Sequence, residues 1–279
     1  MIFLARGERA GPLMVLGSIV TVQTGTVLGK GMFGAVGPAG VVVLRLCFAA
    51  VLLLAVWRPK PPERRSYGLI AALGVAIAGM HLLYPAMERL PVGISATVQY
   101  LGPLTLALAA SRRLMDVGWA LLAGLGVFLV QGGGAGGVSW LGIALALGSG
   151  VAMAAYLVLN KRGGDGSVLA WAVVFAALLV LPLGPIAAGG ELLRPEILLA
   201  GAGVALVSAV IPWSLDMAAL RRLPERVVAV MVSLEPGVGA LAGLILLGEH
   251  LAWTQWTAVA CVSIAAAGAV TTAHQSSYP

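Results

Sequence analysis

The two halves of this chain repeat one another at a shift of about 133 residues, and each half carries an odd number of apolar segments. The repeat is plainest where Arg89-Leu90-Pro91, Ala96 and Leu101-Gly102-Pro103 answer to Arg222-Leu223-Pro224, Ala229 and Leu234-Glu235-Pro236. Asp116 falls opposite Glu249, and Trp119 opposite Trp253 after a one-residue slip. Nearer the start, Gly17-Ser18 and Lys30 match Gly148-Ser149 and Lys161 at a shift of 131. Related units with an odd number of crossings lie upside down relative to each other in a bilayer, which is the architecture of alternating-access carriers.

Composition agrees with a bilayer as the solvent. Of 279 residues, 60% are hydrophobic and 10% charged, against roughly a quarter charged in soluble globules. Apolar segments fall at about 11–29, 37–57, 67–87, 91–111, 115–131, 138–160, 167–189, 196–220, 225–247 and 252–272. Most reach the ~20 residues that cross the hydrocarbon as a helix. The expected fold is therefore an all-α integral membrane protein. Ten transmembrane helices form two inverted five-helix repeats, residues 1–134 and 135–279, around a central cavity. The first apolar run continues to Lys30 without a small-x-small cleavage pattern, so it reads as a retained helix.

Charge placement sets the expected orientation. Alternate loops hold 13 of the Lys and Arg residues, among them Arg6, Arg9, Arg58, Lys60, Arg64, Arg65, Arg112, Arg113, Lys161 and Arg221; the opposite loops hold 3, Lys30, Arg89 and Arg194. The positive-inside rule then puts both termini in the cytoplasm. The net charge of +6 comes from these short loops, with no basic stripe interleaved with aromatics, so nucleic acid is not an expected partner. Cys47 and Cys261 each lie inside an apolar segment and read as packing residues.

Ionisable groups at bilayer depth cost roughly 2.5–3.5 kcal/mol each on insertion scales, so each needs a partner or a wet cavity. Glu235 lies near the middle of the ninth segment and directly precedes Pro236. Proline removes the hydrogen bond to the carbonyl four residues back and disfavours helix at the preceding residue. Pro103 makes the same break in the fourth segment, and paired breaks in inverted halves point to a midplane site. Glu235 is expected to bind a substrate amine or exchange a proton, with Ser233 beside it; the alternative is a bonded carboxylic acid tying two helices together. Pro103 and Pro236 are the candidate hinges.

Asp216, five residues before Arg221, is either an interfacial acid reaching that basic cluster or an inner-gate partner. His81, Tyr84 and Glu88 share one stripe of the third segment. With Gln99, Tyr100 and Gln23 they form a candidate outer wall, His81 being a candidate proton carrier or a hydrogen-bonded helix link. Tyr156 and Trp213 are candidates for the inner vestibule, against the alternative of interfacial anchors. Arg45, in the second segment, is read as a structural bond ahead of a contact to a substrate carboxylate. No glycine-rich phosphate loop, paired-histidine metal motif or nucleophile elbow is found, so no cofactor or metal is expected.

Several blocks resemble the drug/metabolite transporter superfamily, specifically ten-helix exporters with tandem EamA-type halves. The threonine/homoserine exporter branch is the nearest resemblance, through Tyr84-x-x-Met87-x-Arg89-Leu90-Pro91, Gly102-Pro103-Leu104 followed by Ser111-Arg112-Arg113, and Trp213-Ser214-Leu215-Asp216. The block Ala219-Leu220-Arg221-Arg222-Leu223-Pro224, leading to Ser233-Leu234-Glu235-Pro236-Gly237 and Gly248-Glu249, carries it most strongly, and Arg45 resembles the arginine usual in that helix. The resemblance implies that helices 1, 3, 4, 6, 8 and 9 line a cavity while 5 and 10 lie outside. It also implies export of amino acids or similar metabolites, possession of no enzyme activity, and a place in the bacterial inner membrane. One departure stands out: where that branch usually has an acid before the aromatic of helix 4, this chain has Gln99.

The expectation is thus a secondary transporter exporting threonine- or homoserine-like amino acids by alternating access, in exchange for protons or down the substrate gradient. The alternatives are a drug, amine or aromatic amino-acid exporter and, further off, an intramembrane enzyme or a structural membrane protein. One chain holds both halves, so a monomer suffices.

Overall fold

The computed structural model describes residues 2–109, 114–130, 139–163 and 166–275. The expected repeat boundary at 134/135 and the Ser111-Arg112-Arg113 block lie outside the described residues. Every regular element among the described residues is helical. This follows from bilayer physics, since a helix satisfies its own backbone where water cannot.

The first half runs α1 (Ile2–Gly31), α2 (Phe33–Trp57), α3 (Tyr67–Met80), α4 (Leu83–Met87), α5 (Val92–Gln99), α6 (Leu101–Ala109) and α7 (Leu114–Val130). The second runs α8 (Trp140–Gly163), α9 (Gly166–Val180), α10 (Leu183–Ala188), α11 (Pro195–Ala205), α12 (Ile211–Leu220), α13 (Glu225–Val232), α14 (Glu235–Leu247) and α15 (Trp253–Gln275). Among the described residues, eight continuous stretches are long and apolar enough to span a membrane. A ninth is the pair α9–α10, bent by 43° at the Leu181-Pro182 break. The expected fifth crossing, α7, is shorter: its 17 residues rise about 26 Å, below the ~30 Å of hydrocarbon. The ends of that segment fall outside the described residues.

The inverted repeat is visible in which helices touch. α7 packs on α15 and α2 on α9, each pair being its own counterpart, and α5 packs on α14 across the halves. Unlike pairs come in matched sets: α3 on α8 answers to α12 on α1, α3 on α9 to α11 on α2, and α5 and α6 on α8 to α13 and α14 on α1. The halves therefore exchange a helix. α1 joins α11–α14 to make one bundle, and α8 joins α3–α6 to make the other. Close approach relies on small residues, as membrane packing does. A methyl on Gly102 would lie 2.0 Å from the Gly150 carbonyl oxygen, and one on Gly25 would lie 2.6 Å from Ser208 Cβ.

Proline-associated breaks recur at matched places in the two halves. Tyr100 interrupts the α5–α6 span ahead of Pro103, and Ser233-Leu234 interrupts α13–α14 ahead of Pro236. Between α11 and α12 the backbone widens into a π turn over Leu206–Val210. Pro212 has no N–H to give the Ser208 carbonyl four residues back, and Arg45 takes that carbonyl instead, at 3.0 Å from its guanidinium.

Candidate functional site

A cavity of about 220 Å³ lies between the two bundles. α1 contributes Ser18, Gln23 and Thr26; α2 contributes Arg45, and α8 contributes Tyr156. His81 and Tyr84 come from the α3–α4 span, Gln99 from α5, Trp213 and Asp216 from α12, and Glu235 from α14. No lining residue comes from α7 or α15, which pack on each other.

Eight sequence candidates meet here: Gln23, His81, Tyr84, Gln99, Tyr156, Trp213, Asp216 and Glu235. Tyr100 is buried directly behind the wall beside Glu235. Ser233 is not part of the lining, because its hydroxyl donates to the Val230 carbonyl of its own helix. Pro103 and Pro236 lie at the breaks rather than on the cavity wall.

Glu235 accepts a hydrogen bond from the Gln23 amide at 3.3 Å. Oδ1 of Asp216 is buried without a hydrogen-bond partner. Neither carboxylate forms an ion pair among the described residues. Arg45, the one arginine on the wall among the described residues, also lacks a carboxylate there. Its guanidinium donates to the Tyr84 hydroxyl and the Ser208 carbonyl, both at 3.0 Å, and lies 5.6 Å from the centre of the Tyr84 ring. These neutral partners hold its geometry and leave its charge uncompensated. His81 donates from Nδ1 to the Ile77 carbonyl at 2.8 Å and stacks on Tyr84 with ring centres 6.0 Å apart.

Gln99 explains its own departure from the acidic pattern. Its amide nitrogen donates to Ser149 at 2.6 Å and to the Met80 carbonyl at 3.4 Å, and Ser149 also donates to that carbonyl. A carboxylate could not donate to a carbonyl. The mirror contact is simpler, with Ser18 donating to the Pro212 carbonyl at 3.3 Å. Sequence reasoning missed Ser18, Thr26 and Ser208 in the lining. The Gly17-Ser18 and Gly148-Ser149 correspondence was the available signal for the first.

A charged cavity between two related bundles, with no metal-holding cluster among the described residues, suits a carrier. Comparison with known proteins decides the family. The sequence pattern of the EamA-like transporter family matches twice, over residues 9–131 and 140–271. The chain belongs to the EamA-like transporter family. It is a multi-pass membrane transporter and not an enzyme.

EamA-like relatives include the threonine/homoserine exporter RhtA of Salmonella typhimurium strain SL1344, 35% identical over 93% of this chain and 91% of that protein. RhtA of Escherichia coli K12 is 34% identical over 95% and 92% respectively. A crystal structure 20% identical in sequence superposes with a TM-score of 0.62, covering 97% of this chain and 99% of that one. It shows the same fold.

Proposed function

We propose that this transporter exports small neutral amino acids of the threonine or homoserine kind, by alternating access and in exchange for protons. One observation carries the reading: a guanidinium and two carboxylates, none with an ionic partner among the described residues, line the same cavity. Such a cavity suits a ligand with both charges. An α-amino acid brings a carboxylate for Arg45 and an ammonium for Glu235 or Asp216. The names of the relatives point to the same substrates.

Size and charge separate this reading from its rivals. A volume of about 220 Å³ falls below the roughly 300–1,000 Å³ of sites for drug-sized ligands. An organic phosphate would need several cations, and among the described residues Arg45 is the only arginine or lysine on the wall. Two acids exceed what one ammonium requires, and the second gives a proton a place to ride. Like charges in one pocket disfavour each other's ionisation, which favours a single mobile proton between Glu235 and Asp216. The loop charges support an orientation with both termini on the cytoplasmic side of a bacterial inner membrane, in which the end of the pathway near Lys161 faces inward. Both halves of the carrier lie in one chain, and a monomer is sufficient.

The test is transport by purified protein in liposomes. Wild type should move labelled threonine in response to an imposed pH gradient. Glu235→Gln keeps the shape and the Gln23 contact but removes the titrating group, and should lower pH-driven flux at least tenfold while insertion is unchanged. Undiminished proton-driven flux in that variant would overturn the coupling role.

A further inference from the structure

The two ends of the pathway are bonded unequally. At one end Lys30, in the last turn of α1, donates to Glu249 Oε1 at 2.6 Å and to the Leu90 carbonyl at 3.1 Å. The other carboxylate oxygen accepts the Val92 N–H at 2.8 Å, at the start of α5. Lys30 and Glu249 belong to the bundle of α1, α12 and α14, whereas Leu90 and Val92 belong to the bundle of α3, α5 and α8. The ion pair therefore ties one bundle to the other. Its side chains are 19% and 15% exposed, shielded far better than an ordinary surface pair, which contributes little. Gly243 leaves room for it, since a methyl there would lie 2.6 Å from Glu249 Oε2.

The repeat assigns each of these groups a counterpart at the opposite end. Lys30 corresponds to Lys161, Glu249 to Asp116, Leu90 to Leu223 and Val92 to Glu225. There the bonds differ. Lys161 is exposed and forms no ion pair among the described residues. Leu90 is buried, whereas Leu223 is partly exposed. Every residue of α5 is buried. In α13, Val228 is the one buried residue among those whose side chains are described. Among the described residues, the Lys30 end is thus bonded and buried where the Lys161 end is more open.

We infer that Lys30–Glu249 and Lys161–Asp116 are alternative latches, each joining the two bundles at its own end and only one of them made at a time. When the pathway changes sides, Lys30 and Glu249 release Leu90 and Val92. Asp116 then accepts the Glu225 N–H at the start of α13, and Lys161 donates to the Leu223 carbonyl. The same four-group latch, inherited by both halves, thereby prevents both ends from opening together.

The test reads cavity access from each side, independently of which substrate is carried. With Cys47 and Cys261 replaced by Ala, Met153→Cys on the cavity wall is labelled by a membrane-impermeant maleimide in right-side-out and inverted vesicles. Glu249→Gln should raise labelling from the Lys30 side several-fold and lower it from the Lys161 side. Lys161→Gln should do the opposite. That second variant is the sharper one, because Lys161 touches no ion-pair partner now and a purely structural account predicts no change from it. No shift in Lys161→Gln, or a shift in the same direction as Glu249→Gln, overturns the inference. Lys161→Gln decides the question even where the Glu249 variant inserts poorly.

Discussion

The α5–α6 and α13–α14 spans descend from one hairpin, carry the same proline break, and do opposite things. In the first, Gly102 follows the break and lets the span close on α8 with glycine against glycine, Gly102 to Gly150. Gln99 and Ser149 then fasten the seam to the Met80 carbonyl. In the second, Glu235 occupies the position of Gly102 and Val232 that of Gln99. A carboxylate at that point meets the Gln23 amide of α1 and leaves a charged wall. The helix break is thus the shared device, and the residue after it decides whether the break becomes a seam or a site.

That contrast can be broken at its tightest point first. Gly102→Val should destabilise the fold by about 1–3 kcal/mol or more, as overpacked interiors do, because the obstructing atoms are backbone and cannot swing away. A thermal unfolding midpoint in detergent would show it as a large drop. Gly237, one residue past Pro236, has open space where a side chain would go, so Gly237→Ala should stay within about 0.5 kcal/mol, as unobstructed substitutions do. Equal losses in the two variants would erase the distinction between seam and site.

Next in size is Ser149→Ala. It removes two buried hydrogen bonds, to Gln99 and to the Met80 carbonyl, and leaves the 3.4 Å bond between those two groups; each lost bond costs about 0.5–1.5 kcal/mol. The mirror change, Ser18→Ala, removes one hydrogen bond and should cost about 0.6 kcal/mol, the average for a bond between membrane helices. Chemical unfolding of the two variants side by side checks the order. The reverse order would place the stronger seam in the second half.

Much of this molecule was legible before any coordinates. Apolar length marked the crossings, and the repeat with its loop charges marked the inversion, because bilayer thickness and charge cost act on sequence directly. Glu235 and Asp216 were legible for the same reason. Side-chain direction was harder. Ser233 neighbours Glu235 in sequence, yet it turns back to the Val230 carbonyl. The π turn at Leu206–Val210 had one sequence sign, Pro212, and its consequence depended on Arg45 from a helix 163 residues away from Ser208. Arg45 was expected to be structural, and it does bind a carbonyl; what sequence did not show is that it also faces the cavity. The fifth crossing read as a span from its hydropathy, but α7 itself falls short of the hydrocarbon thickness.

The exchange of α1 and α8 between the bundles has a consequence for biogenesis. While the ribosome has delivered only the first half, α1 lacks α12 and α14, and the groove of α3, α5 and α6 lacks α8. Neither bundle can be completed before the second half emerges, so quality control meets the chain with its polar residues still unburied. Severed halves should then recover transport only when made together in the same membrane.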